Sequence, residues 1–76
     1  TAVQQVNEYI MTSIRTIEGI DILKIEELFG PQYKEALMRK AEKHMTAGNT
    51  IKRNERIVLT KKGKLFADGI TADLFF

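Results

Sequence analysis

A short run of strand-forming residues leads directly into a helix start near the end of the chain. Ile57, Val58 and Leu59 are the β-branched and apolar residues that favour a strand. Thr60 follows at once, and its hydroxyl can accept a hydrogen bond from a backbone N–H of a first helical turn. Because the rest of the chain has helical periodicity, this junction predicts a mainly helical domain that contains a small sheet.

The apolar residues before and after this junction divide the chain into further elements. The first helix carries its apolar stripe on Val6, Tyr9, Ile10, Ile14 and Ile17, and the last helix carries it on Phe66, Ile70 and Leu74. The predicted elements are, in order, a helix from Val3 to Ile17, a short helix from its cap at Asp21 to Gly30, a third helix from Pro31 to Gly48, strands over residues 50–53 and 56–59, and a last helix from Thr60 towards Phe76.

This order predicts one winged-helix-like domain over residues 1–76, mainly α with a small β-hairpin: three helices, a two-stranded wing and a C-terminal helix. The wing is predicted to turn at Asn54 and Glu55, although the Asn-Gly pair favoured in such turns is absent. No internal repeat or linker interrupts the pattern.

The length and composition narrow the classes of function. A domain of 76 residues has little room for a deep, water-excluding active site, so we expect a module rather than a complete enzyme and assign no catalytic residue. The absence of cysteine excludes thiolate metal sites and iron–sulfur ligation within these residues. No apolar run approaches the ~20 residues that cross a bilayer, and a cytoplasmic location is expected. Because the chain begins at Thr1 and not at methionine, we expect it to be part of a longer protein.

Two stretches point to a known family. They are, in chain order, Asn7 to Met11 with Arg15, Glu18 and Gly19, and then Leu59 and Thr60 with Gly63 to Phe66. In their order and separation they resemble the C-terminal domain of the oxygen-independent coproporphyrinogen III oxidases and of the related haem chaperones. The similarity spans nearly all of the chain.

The resemblance implies a parent protein whose chemistry lies elsewhere. In that family an N-terminal radical S-adenosylmethionine barrel holds a [4Fe–4S] cluster on three cysteines, and the parent decarboxylates two porphyrinogen propionates to vinyl groups or descends from such an enzyme. This chain would then be a non-catalytic domain that packs on the barrel of the same polypeptide and helps to close the tetrapyrrole site. Oxidase and haem chaperone share the pattern, so the sequence leaves that choice open.

A cluster of cations marks the hairpin and the start of the last helix. Within residues 50–64 six lysines and arginines face a single carboxylate, Glu55. Candidate contacts to an anion or a tetrapyrrole propionate are Arg56, Lys61, Lys62 and Lys64. Solvated lysines are the alternative, and DNA phosphate would suit the same charges. A DNA-binding regulator is the less favoured hypothesis, because the outward face of the third helix mixes carboxylates with cations.

A second candidate surface lies on the first helix, opposite its apolar stripe. Glu8, Met11 and Arg15 fall within one narrow sector because steps of three and four residues return to nearly the same angle. They are candidates for docking on the missing barrel or, in a third hypothesis, on a separate protein partner. An ordinary solvated face is the alternative.

Single residues elsewhere carry weaker signals. His44 lies in the apolar stripe of the third helix and is predicted to be a hydrogen-bonded, partly buried histidine, since no second histidine exists to complete a metal site. Asp68 and Asp73 are predicted to lie on different sides of the last helix. Gly63, in a helical first turn, indicates either a close backbone approach or local flexibility.

Overall fold

The computed structural model describes all residues from Thr1 to Phe76. It is mainly helical with a small antiparallel sheet, as predicted. The elements are α1 (Ala2–Ser13), β1 (Ile20–Asp21), α2 (Ile22–Phe29), α3 (Pro31–Thr46), β2 (Thr50–Arg53), β3 (Arg56–Leu59), a 3-10 helix (Gly63–Phe66) and α4 (Ala67–Leu74). This order is compatible with the winged-helix-like arrangement.

The sheet has three antiparallel strands in the order β1-β3-β2, where the sequence predicted two. The predicted hairpin β2–β3 is confirmed, and its turn residues Asn54 and Glu55 both have positive φ, as a tight two-residue hairpin turn requires. The missed strand β1 has only two residues, which pair as Ile20 with Ile57 and Asp21 with Arg56. A strand this short has no periodicity to recognise.

One continuous core lies between the helices and the inner face of the sheet. Every α-helix and two of the three strands contribute to it, and so does the segment after α1. The buried apolar residues are Val6, Ile10, Ile14, Ile20, Ile22, Ile25, Leu37, Ala41, Ile57, Leu59, Ile70 and Leu74. The C-terminal rings complete this core, because Phe76 packs against Tyr33 with ring centroids 5.0 Å apart.

The first helix is shorter than predicted. It ends at Ser13 and not at Ile17, and Ile17 is 90% exposed where the apolar stripe placed it in the core. The hydroxyl of Thr16 donates to the Ser13 carbonyl at 2.7 Å and accepts from the Gly19 N–H at 3.0 Å. These local bonds replace the helical ones, and they turn the chain so that Gly19, at φ 74°, lies against the backbone of Ile57.

The last helix is also different from the prediction. A 3-10 turn occupies Gly63–Phe66, and α4 starts only at Ala67. Phe66 has φ −121° and ψ 23°, which interrupts the helical path. Its ring is therefore 54% exposed, so its assignment to the buried stripe was wrong, whereas Ile70 and Leu74 are buried as expected.

The helix starts and stops in the middle of the chain were predicted correctly. The Asp21 carboxylate accepts a hydrogen bond from the Lys24 N–H at 3.1 Å and so caps α2. Gly30, at φ 105°, then separates α2 from α3, which begins at Pro31. These signals require no tertiary information, because capping and proline chemistry act within one turn.

Candidate anion-binding groove

The turn after β3 is held rigidly before the 3-10 helix. The Thr60 hydroxyl donates to the Gly48 carbonyl at 2.7 Å and accepts from the Gly63 N–H at 3.0 Å, which is the capping role predicted for it. The Thr60 N–H donates to the Asn49 carbonyl at 2.9 Å. The turn is thereby hydrogen-bonded to the residues that follow α3. These bonds fix the backbone from which its lysines extend.

Lys61 in this turn and Lys64 in the 3-10 helix line a groove of about 360 Å³. The opposite wall is the segment after α1, and the floor is the outer face of the β2–β3 hairpin. We call this depression the cationic groove; its charged lining residues are Arg15, Arg53, Lys61 and Lys64, and no Asp or Glu lines it.

The floor of the cationic groove is apolar. Ile51 of β2 and Val58 of β3 are direct cross-strand partners, so both side chains lie on the same face of the sheet. Their neighbours Ile57 and Leu59 point to the buried face. Ile51 remains exposed and Val58 is partly exposed, so the groove offers an apolar surface between its cations.

The four predicted anion contacts do not all lie in this groove. Arg56 shares the outer face of the hairpin but does not line the groove, and it pairs with Asp21 at 3.4 Å. Lys62 points the other way and donates to the Ala47 carbonyl at 2.9 Å. The structure brings Lys61 and Lys64 together and adds Arg15 and Arg53 to them. Arg53 could have been found from sequence, because alternation along the strand places it on the face of Ile51.

The three predicted docking residues are likewise divided. Glu8 and Met11 lie together on the exposed side of α1, where both line a shallow depression of about 300 Å³. Glu8 also borders a groove of about 460 Å³ between α1 and α2, which includes Leu28. Arg15 follows the end of α1, lines the cationic groove instead, and forms an ion pair with Asp68.

His44 and Asp73 form a small polar cluster between α3 and α4. The His44 side chain is 12% exposed, and its Nε2 lies 3.1 Å from Asp73 Oδ2, so it is hydrogen-bonded and partly buried as predicted. The Lys43 ammonium lies 3.2 Å from the same oxygen. A hydrogen bond from Lys43 and its positive charge, with smaller contributions from His44, lower the pKa of Asp73 against the opposing effect of desolvation. Asp68 and Asp73 have different partners, as their predicted separation requires.

The fold and the site define a class of protein first. The chain is a small helical module with a hairpin and a groove lined by four cations, and no three His, Asp or Glu side chains gather in it. None of its helices combines the length and the apolar character needed to cross a membrane.

Comparison with known proteins then gives the family. The family model described as the HemN C-terminal domain matches residues 1–66. The chain belongs to this family, so the resemblance to the C-terminal domain of coproporphyrinogen III oxidases of the HemN type is confirmed. Searches of curated proteins and of solved structures gave no match.

Proposed function

We propose that this chain is the non-catalytic C-terminal domain of a radical S-adenosylmethionine protein of porphyrin and haem biosynthesis. It packs on the catalytic barrel of the same polypeptide and helps to close the tetrapyrrole site. The match to the HemN C-terminal domain over residues 1–66 is the observation that carries this proposal. The parent is either an oxygen-independent coproporphyrinogen III oxidase or a related haem chaperone.

The cofactors of such a parent belong to the barrel. A [4Fe–4S] cluster needs thiolate ligands, and the chain has no cysteine. The residues present therefore do not fit the cluster, and no step of the chemistry is assigned to them. What this chain contributes is surface: a face that packs on the barrel and cations that attract the propionates of the substrate or of haem.

The exposed side of α1 is the proposed docking face. Asn7 and Tyr9 are used inside the domain: the Asn7 amide bonds to the backbone of Phe76, and the Tyr9 hydroxyl accepts from the Asp21 N–H. Glu8 and Met11 have no such internal partner, and Met11 is 49% exposed. A half-exposed methionine beside a carboxylate suits a mixed apolar and polar interdomain contact.

The two alternatives have less support. A DNA-binding regulator would place α3 in the major groove, yet Glu35 and Glu42 are exposed on that helix with Arg39 and Lys43. Those carboxylates would face phosphate. A separate protein partner could use the same face of α1, but membership of a family of C-terminal domains makes the barrel of the same polypeptide the simpler partner.

The test uses the full-length protein, purified without oxygen. We expect about four iron and four acid-labile sulfide per chain. We also expect that the protein binds the tetrapyrrole and converts or transfers it, and that both steps require residues 1–76. In the intact protein, Met11→Asp should lower both binding and turnover by about tenfold, because a charge at the interface must be desolvated. Leu23→Asp is the matched control, since Leu23 is 50% exposed on α2.

Two results would contradict this proposal. Absence of iron and sulfide after attempted reconstitution would contradict the assignment of the parent as a radical S-adenosylmethionine protein. Full tetrapyrrole binding and turnover after deletion of residues 1–76 would remove the role of this domain in closing the site, whatever the parent contains.

A further inference from the structure

We propose that the cationic groove is a binding site for a small molecule with an apolar body and at least two carboxylates. The class of ligand follows from the groove alone. The identification of that molecule as a tetrapyrrole rests on the proposed function.

The first argument is the distribution of unpartnered cations. Most lysines and arginines of the chain contact a carboxylate, a carbonyl oxygen or an aromatic ring. The side chains without such a contact are Arg39, Arg53, Lys61 and Lys64, and all except Arg39 line the cationic groove. Cations held at the rim of one concavity without carboxylates raise the local concentration of anions there.

The second argument is the position of the apolar floor. Ile51 and Val58 lie side by side, with Arg53 on one side of them and the turn that carries Lys61 on the other. A hydrated inorganic anion gains nothing from such a floor, and a purely apolar ligand gains nothing from the cations. A molecule with an apolar body and separated carboxylates uses both, as ligand sites commonly do.

The third argument is the size and shape of the groove. Its volume of about 360 Å³ is near the lower end of small-molecule sites, about 300–1,000 Å³. The groove is open on one side, so it would hold one edge of a macrocycle and leave the rest for another surface to cover. This is the geometry expected of a domain that closes a site rather than contains one.

Asp68 is an internal competitor for one of the cations of the groove, Arg15. Arg15 lines the groove but is paired with Asp68, whose carboxylate is almost fully exposed. Removing that carboxylate frees a further guanidinium for the ligand, and a guanidinium binds carboxylate in a planar, bidentate manner. Asp68→Asn should therefore strengthen binding, whereas substitution of a carboxylate with no link to the groove would leave binding unchanged.

The experiment measures binding of coproporphyrin III to the 76-residue chain by fluorescence titration at low salt, with its tetramethyl ester and tetradecanedioate as further probes. We expect saturable binding of the free acid and of the dicarboxylate, and at least about tenfold weaker binding of the ester. Lys61→Gln with Lys64→Gln should weaken binding of the acid by about tenfold, and added salt should reduce the difference. Asp68→Asn should strengthen the binding of the free acid by about threefold.

The matched control carries the same change of charge outside the groove. Lys52→Gln with Lys62→Gln removes two cations from neighbouring positions, and neither lysine lines the groove. This variant should bind as the wild type does. Ile51→Thr should weaken the binding of the free acid and of the dicarboxylate by about threefold, because it reduces the apolar floor. It keeps a β-branched residue in the strand.

Several results would overturn the proposal. Equal losses in the two double variants would show only a general charge effect, and equal binding of acid and ester would show adsorption to apolar surface. If duplex DNA bound more tightly than coproporphyrin III and lost this binding in the Lys61 and Lys64 variant, the groove would be a phosphate-binding site. A parent that holds a cluster and turns over normally with Lys61→Gln and Lys64→Gln, without binding in the groove, would overturn this inference and leave the proposed function intact.

Discussion

Gly63 shows at the residue scale how closely the 3-10 helix packs on the segment after α3. A Cβ at this position would lie 1.8 Å from the Asn49 carbonyl oxygen, far inside van der Waals contact. The same carbonyl accepts the hydrogen bond of the Thr60 N–H. Of the two interpretations left open by the sequence, the close backbone approach is therefore the one found. Glycine here allows the turn that carries the groove lysines to pack on the end of α3.

Gly63→Ala should accordingly lower the free energy of unfolding by about 1–3 kcal/mol, because backbone must move to admit the methyl group. The control is Gly69→Ala in α4, where nothing lies within 4 Å of the position that the methyl group would occupy. That change should raise the free energy of unfolding by about 0.5–1 kcal/mol through helix propensity. Urea unfolding measures both. Equal effects of the same sign would mean that the approach to Asn49 does not constrain the turn.

At the scale of elements, α1 organises the two ends of the chain. Asn7 Nδ2 donates to the backbone oxygen of Phe76 at 3.1 Å, and the Phe76 N–H donates to Asn7 Oδ1 at 2.7 Å. This reciprocal pair joins residues 69 positions apart. It fixes the extended segment after α4, so that the Phe76 ring can close the core over Tyr33.

Asn7→Ala should remove both bonds and cost about 1–3 kcal/mol, since part-buried polar groups of Phe76 lose their partner. Asn7→Asp should cost less because its carboxylate still accepts from the Phe76 N–H. Hydrogen exchange of that amide should accelerate in the alanine variant. Gln5→Ala, on an exposed position of the same helix, is the control. Unchanged exchange at Phe76 would show that core packing alone holds the C-terminal segment.

How far the elements could be predicted depended on the range of the interactions that define them. Asp21, Pro31 and the strand at Ile57 act locally, and the sequence identified all three. Ile17 has helical spacing, but a turn made by the Thr16 hydroxyl removes it from the helix. Arg15 lines the cationic groove and pairs with Asp68, 53 residues away, and no local pattern indicates such a contact.

At the scale of the whole molecule, the distribution of charge matters more than its sum. The net charge is only +2, yet the cationic groove has no carboxylate in its lining, whereas α3 has cations and carboxylates interspersed. Outside the groove, Asp73 near the end of α4 bonds to Lys43 and His44 near the end of α3. One carboxylate thus joins α3 to α4, so its ionisation is linked to folding.

That linkage predicts how the domain responds to acid. The pKa of Asp73 in the folded protein lies below its ordinary value of 3.8, first because Lys43 donates a hydrogen bond to it. The folded state therefore binds this proton less readily than the unfolded state does. The stabilisation is complete above the ordinary pKa and is lost as the pH falls through the lowered one. Asp73→Asn should accordingly flatten the decline in stability as the pH falls below about 5.

Thermal unfolding at a series of pH values measures this decline in the wild type and in three variants. Lys43→Gln should flatten the curve nearly as much as Asp73→Asn, because Lys43 is the main cause of the shift. Combining the two should add little, since each removes the same interaction. Parallel acid curves for wild type and Asp73→Asn would place the acid sensitivity in other carboxylates. Additive effects in the double variant would show that Lys43 acts on stability by a route other than Asp73.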